Sequence, residues 1–410
     1  MTTEFFNVQT VQSALQTLFA SWTPEHQTVR LDPRDALGRV LAVAPRSPIN
    51  LPAFTRSTMD GYAVRASDTF GATQSLPAYL TVVGQVPMGV QPSVVVGSAE
   101  AVEIHTGAMQ PAGADAVVMV ERTQRISDCE IEVLAPVAPG ENLVQIGEDV
   151  AEGDEILPVG HRIRPQDIGG LLAVGIAEIT VALPPRVGIL SCGDELVPAE
   201  DTPRLGQIRD INAHTLAALI RETGGEPVLL GIARDTLDSF LPLARSGLDA
   251  VHILIVTAGS SVSARDLTAE VIDRLGDPGV LQHGLAVKPG KPTILAVCRN
   301  KPVIGLPGNP VSALLVARQI VVPVIQRALG ARPRPNAMVR AALSQNIPSS
   351  TGREDSVPVR LVERDGALVA EPVFGKSNLI YTLVNADGLV QIPINSNGLR
   401  SGSLVDVVLF

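Results

Sequence analysis

The strand–helix alternation between Val187 and Leu329 limits most strongly what this chain can fold into. Strands are expected at Val187–Leu190, Pro227–Ile232, His252–Thr257, Thr293–Val297 and Val303–Leu306. Helices are expected between and after them, at Asn212–Thr223, Thr236–Ser246, Leu267–Leu275 and Val311–Leu329. Alternation at that spacing implies a mostly parallel sheet with helices on both faces, an α/β architecture. Such sheets place their ligands beyond the carboxyl ends of the strands.

The flanks follow other rules. Residues 10–21 read as an amphipathic helix with Val11, Ala14, Leu15, Leu18 and Phe19 on one stripe. A short helix is expected at Arg34–Leu41 and another near Pro165–Val174. The segment 147–184 is expected to pack back on the N-terminal helix, because neither piece alone can bury a core. Short strands at Tyr79–Val83, Ala101–Ile104, Ala116–Val120 and Glu130–Leu134, separated by Gly and Pro, describe a small β-rich unit. Beyond the stiff run Ala331-Arg332-Pro333-Arg334-Pro335, strands are expected at Met338–Leu343, Val357–Val362, Leu368–Pro372, Leu389–Ile392 and Ser403–Val408.

At 410 residues the chain exceeds a single core, and a net charge of −10 argues against broad nucleic-acid binding. Cys129, Cys192 and Cys298 are widely spaced and suggest neither a disulfide nor a metal site, which fits a reducing cytoplasm. The start Met1-Thr2-Thr3-Glu4-Phe5 lacks a basic and apolar leader, and no uninterrupted apolar run approaches a membrane span.

Three strand ends carry polar clusters. They are Ser191-Cys192-Gly193-Asp194-Glu195, Thr257 through Asp266, and a pair of loops running from Lys288-Pro289-Gly290-Lys291-Pro292 to Gly305-Leu306-Pro307-Gly308-Asn309-Pro310. Pro289 and Pro292 stiffen the backbone that carries the two lysines. Asn309 is a candidate N-cap and Pro310 suits the first helical position, so free N–H groups would face the loop. That suits an oxyanion or phosphate; the alternative is a surface loop followed by an ordinary capped helix. Hydroxyls and lysines bind phosphate, carboxylates bind a divalent cation, and together they would equip a phosphorylated-cofactor site with a metal. Each group also has a plainer reading: Asp194 and Glu195 as a solvated turn, Asp266 as a helix N-cap, Cys192 as a small buried residue.

Seven motifs in one order carry a resemblance. They are Ser57-Thr58-Met59-Asp60-Gly61-Tyr62-Ala63-Val64, His105-Thr106-Gly107-Ala108 through Val118, Gly147-Glu148-Asp149, Gly193-Asp194-Glu195-Leu196, Ser261 to Asp266, the lysine loop, and Gly305 through Ala313. The chain resembles the molybdopterin molybdenumtransferases of the MoeA type, which include the E domain of gephyrin. The resemblance implies an elongated four-part homodimer. Its parts would be a discontinuous N-terminal domain (1–53 and 145–183), a small β-rich domain (54–144), a three-layer αβα molybdopterin-binding domain (184–330) and a C-terminal β domain (331–410). It implies cleavage of adenylylated molybdopterin with Mg2+ or another divalent cation, release of AMP, and insertion of molybdate, with no membrane or nucleic-acid partner.

By motif match Asp60, Thr106, Asp149, Glu195 and Asp266 fall on catalytic positions, with Glu195 and Asp266 as metal ligands. Lys288, Lys291, Arg353 and Ser377 fall on molybdate-binding positions. Gly259, Ser261, Ser263, Pro307, Asn309, Pro310 and Ser312 fall on substrate-binding ones. Ala258 and Ser263 stand where the family usually has glycine. The alternative function is a non-catalytic scaffold of the same family that binds a pterin or a protein partner. Tungstate is a third reading, since the two oxyanions share size and charge.

Overall fold

A computed structural model describes residues 8–259 and 262–410, the side chains of 262–265 excepted. Its centre is a six-stranded sheet. In spatial order the strands are Glu226–Ala233, Arg186–Cys192, Ile253–Ala258, Lys301–Pro307, Ile294–Cys298 and Pro278–His283. The first four run parallel, and Ile294–Cys298 is antiparallel to both of its neighbours. Ile253–Ala258 is buried along its whole length, as expected of an apolar strand covered on both faces. Each of its fully buried Ile and Leu side chains contributes roughly 1.5–3 kcal/mol.

Two cores sandwich the sheet. One joins Val187, Ile189, Ile253 and Ile304 to the helices Asn212–Thr223 and Pro310–Ala328. The other joins Leu190, Leu254 and Val256 to Phe240, Ala244 and Leu248 of the helix Leu237–Ala250 and to Val271 and Ile272 of Val262–Asp273. Pro310–Ala328 is long and apolar enough to cross a membrane by composition alone. Here it is a core helix, with Val316, Ala317, Ile320, Val321, Val324 and Ile325 packed into the first cluster.

The sequence expectations fail in instructive places. The N-terminal helix forms at Val11–Ala20, but it does not lie chiefly on the 147–184 segment. Ala14, Leu18 and Trp22 enter the α/β core, where the apolar stripe finds a larger surface. Segment 150–182 instead lies along 28–51, pairing Thr28–Leu31 with Ile179–Ala182 around a core of Leu41, Ile163 and Leu171. The helix expected at Arg34–Leu41 is only a 3-10 turn at Pro33–Asp35, because Val40 and Leu41 are drawn into bridges to Arg162 and Val181. The strand Pro278–His283 was not expected, since Pro278 and Gly279 read as breakers. The helix expected at Leu267–Leu275 begins at Val262, so Asp266 lies inside it and cannot be its N-cap.

The β-rich unit is a six-stranded sheet ordered Ala116–Met119, Gly61–Val64, Glu100–Ile104, Ala78–Gln85, Glu130–Val133 and Thr123–Ser127. In the C-terminal region Glu354–Arg364, Ala367–Pro372, Met338–Leu343, Leu404–Leu409 and Gly388–Ile392 pair in turn. Gly388–Ile392 then pairs back on Glu354–Arg364, which closes a small barrel. One further strand is added from elsewhere: Val287–Lys288 runs parallel to Glu354–Asp355.

Candidate active site

The register of the central sheet brings the strand ends together. Cys192 is level with Ala258, and Ala258 with Pro307. Ile294 is opposite Gly305 in an antiparallel pair, so the start of that strand meets the finish of its neighbour. The single antiparallel reversal is therefore what delivers the lysine loop to the carboxyl edge.

That loop is held tightly. Gly290 has φ +114, and a Cβ there would lie 2.1 Å from Val316 Cγ2 of the core helix, so only glycine lets the loop pack this closely. Thr293, fully buried, donates from Oγ1 to the Gly290 carbonyl at 2.7 Å, and the Leu285 N–H donates to the Lys291 carbonyl at 2.8 Å. Lys288 and Lys291 are exposed on this fixed backbone. They face a cleft of about 850 Å³ between the α/β domain and the C-terminal barrel. Its lining includes Lys288, Lys291, Pro307, Asn309, Ser312, Arg353 and Ser377 from the sequence reading, together with Asp355 and Lys376, which that reading missed. Asp355 is buried, 2.9 Å from Arg353 Nε and 3.8 Å from Lys288 Nζ.

Asn309 occupies the N-cap position of Pro310–Ala328, but its side chain does not cap the helix. Its amide donates to Ser377 Oγ at 3.0 Å, and the Ser377 carbonyl accepts the Val311 N–H at 3.0 Å. The barrel thus uses part of the hydrogen-bonding capacity that the sequence reading left for an anion.

A second cleft, of about 800 Å³, adjoins the first. Cys192, Glu195, Asp210, Asn212, Thr257, Gly259, Pro310 and Tyr381 line it, and Asn309 and Asn378 line both clefts. Glu195 is placed by a short parallel pair, Leu196–Val197 with Ile208–Arg209, and by the Ile208 N–H donating to its carbonyl at 2.8 Å. Asn212 donates from Nδ2 to the Gly308 carbonyl at 2.8 Å. Cys192 donates from Sγ to Asp235 Oδ1 at 3.2 Å; burial, then Asp235, push its thiol far above the ordinary range. It is a packing residue and not a nucleophile.

The carboxylates expected to hold a metal are distributed as follows. Among the described residues no group of three or more His, Cys, Asp or Glu forms a metal cluster. Glu195 and Asp210 bring two carboxylates to the second cleft. Asp266 is exposed on its helix and is not among the described residues lining either cleft. Ser261 and the side chain of Ser263 lie outside the described residues.

Asp60, Thr106 and Asp149 are not among the described residues lining either cleft. Asp60 Oδ1 accepts the Thr106 N–H at 2.7 Å and its hydroxyl at 3.1 Å, with His105 Nδ1 at 3.7 Å. The Thr106 N–H foremost, then its hydroxyl, hold the Asp60 carboxyl below its ordinary value. His105 Nε2 lies 3.0 Å from Gln85 Nε2, which fixes the imidazole from its other side. Asp149 is exposed, and its N–H donates to the Leu51 carbonyl at 3.1 Å.

The fold and its paired clefts define a multidomain protein built around an α/β ligand-binding domain. Residues 188–327 match the family described as a probable molybdopterin binding domain. Residues 9–175 match the MoeA N-terminal region (domain I and II), and 340–410 the MoeA C-terminal region (domain IV). The molybdopterin molybdenumtransferase of Haemophilus influenzae is 33% identical over 94% of each chain. That of Bacillus subtilis is 32% identical over 92% of this chain and 88% of its own. A crystal structure of the molybdopterin biosynthesis moeA protein from Pyrococcus horikoshii aligns with TM-score 0.86 at 31% identity, covering 98% of this chain and 100% of that one. The chain belongs to the MoeA family.

Proposed function

We propose that this chain is a molybdopterin molybdenumtransferase that inserts molybdenum into adenylylated molybdopterin and releases AMP. The observation that carries the reading is the shared wall: one cationic cleft and one carboxylate-bearing cleft meet at Asn309 and Asn378. In this reading molybdate lies against Lys288, Lys291, Arg353 and Ser377. Charge-assisted hydrogen bonds to its oxygens replace its hydration shell. The adenylylated substrate lies in the neighbouring cleft against Gly259, Asn309, Pro310 and Asp210.

A divalent cation bound by Glu195, with Asp210 on the same cleft wall, would neutralise charge on the substrate phosphates. The stiff lysine loop orients the oxyanion, and the shared asparagine wall holds the two substrates in register, so orientation entropy is met on binding. Asp60, Thr106 and Asp149 complete the site from the second chain of a homodimer, which accounts for a preorganised carboxylate that is not among the described residues lining either cleft.

The test is AMP release by purified protein given adenylylated molybdopterin, molybdate and Mg2+. Molybdate-dependent release from the wild type, lost in Lys288→Ala and Glu195→Gln, is the expected result. No release from a wild type that still binds the pterin would favour a non-catalytic scaffold.

A further inference from the structure

We propose that Lys376 is a further oxyanion-binding residue, and that its charge sets the cleft's preference for doubly charged tetrahedral anions. The inference rests on reading the Lys288–Lys291 cleft as the molybdate site. Among the described residues four cationic side chains line this cleft, Lys288, Lys291, Arg353 and Lys376, and Asp355 is the one carboxylate. Asp355 is buried and draws on two of those cations, Arg353 at 2.9 Å and Lys288 at 3.8 Å. Part of their field is spent within the protein before any anion arrives. Lys376 makes no ion pair among the described residues.

The backbone that carries Lys376 is fixed. Its carbonyl accepts the Leu379 N–H at 3.0 Å, and the next residue, Ser377, is tied to the core helix by the Val311 N–H and the Asn309 amide. A Cβ on the preceding Gly375 would lie 2.4 Å from Thr382 Oγ1, so the loop is packed closely on its other side as well. An exposed lysine on an anchored loop loses its stem's freedom on binding but adds no cost for ordering the backbone.

Charge then discriminates. The Coulomb term of one cation is twice as large for a dianion as for a monoanion of the same shape. Molybdate and perrhenate, both tetrahedral oxoanions, differ by one charge and form the probe pair. Affinities are measured by calorimetry at constant ionic strength for the wild type, Lys376→Gln, Lys376→Arg and Lys288→Ala. Lys376→Gln is expected to weaken molybdate about tenfold, the order of one solvent-screened charge-assisted hydrogen bond. It should weaken perrhenate only about threefold, since half the Coulomb energy is half the logarithm. Lys376→Arg should keep most of the molybdate affinity.

With Lys288→Ala still impaired, no loss for either anion would overturn the role of Lys376 in binding, and equal losses for the two would overturn its charge preference; both leave the cleft assignment standing. Wild-type affinity in Lys288→Ala together with Lys376→Gln, or no wild-type binding at all, would remove the cleft assignment and this proposal with it.

Discussion

Lys288 and Asp355 are joined twice, as register partners in a parallel strand pair and through an ion pair of 3.8 Å. The pairing sews the α/β domain to the C-terminal barrel at the point where the cationic cleft opens. Asp355 therefore has two opposed effects: it fixes the geometry of Lys288 and Arg353, and it cancels part of their charge.

Asp355→Asn separates those effects. The amide keeps the shape and one acceptor but loses the charge, and its cationic partners stay partly exposed, so destabilisation should be about 1–2 kcal/mol. Molybdate affinity should rise, because Lys288 and Arg353 are released toward the anion. Urea denaturation and calorimetry on the same variant check both; a fall in affinity with unchanged stability would show that positioning outweighs charge.

Asp60 offers a pH-dependent test. Its carboxyl is lowered first by the Thr106 N–H and then by the Thr106 hydroxyl. A lowered folded-state value favours folding above the unfolded-state value, and that contribution fades as pH falls through the folded one. Thr106→Val removes the hydroxyl and keeps the N–H. The Asp60 carboxyl should titrate at higher pH than in the wild type, yet still below an unperturbed aspartate. Carbon-13 NMR titration reads this directly, and an unchanged midpoint would show that the hydroxyl contributes nothing.

Asp167 makes a structural counterpart. Burial alone would raise its carboxyl, but hydrogen bonds from the Arg164 and His161 side chains and from the Arg164 N–H outweigh this and leave it well below the usual range. Its contribution is present above the unfolded-state value of about 3.9 and fades as pH falls from there through the folded-state value. Asp167→Asn should cost about 1–3 kcal/mol at neutral pH. The gap to the wild type should close as pH drops below the unfolded-state value. A gap that stays constant down through that range would mean that the group's charge is not what stabilises the segment.

The proposal that sites are shared across a homodimer predicts complementation. Asp60→Ala and Lys288→Ala chains should each be inactive. A co-purified heterodimer should recover part of the AMP release, because one of its two sites then holds a native Asp60 and a native Lys288. Activity no higher than either homodimer would mean that each site is built within one chain.

The parts legible in the sequence were those whose local chemistry has few solutions. Lys288-Pro289-Gly290-Lys291-Pro292 reads as a stiff cationic loop from its prolines alone, and the structure adds only the reason for Gly290, the approach of Val316. The parallel strands were legible from apolar runs such as Ile253–Ala258. What failed depended on distant partners. Arg34–Leu41 reads as a short helix, but Val40 pairs with Arg162 and Leu41 with Val181. Asn309 reads as a helix cap, but Ser377, far along the chain, takes its amide. Lys376, Asp355 and Tyr381 carry no pattern in the sequence, and only the closure of the barrel against the α/β domain brings them to the clefts.

The adjacency of the two clefts is tested most directly by locating molybdenum. Crystals soaked with molybdate and AMP, with diffraction collected at the molybdenum absorption edge, give an anomalous difference peak at the metal. The account predicts one peak within hydrogen-bonding reach of Lys288, Lys291, Arg353 and Ser377, with AMP density on the far side of the Asn309–Asn378 wall. A peak outside the lysine cleft, or AMP density occupying that cleft itself, would contradict it.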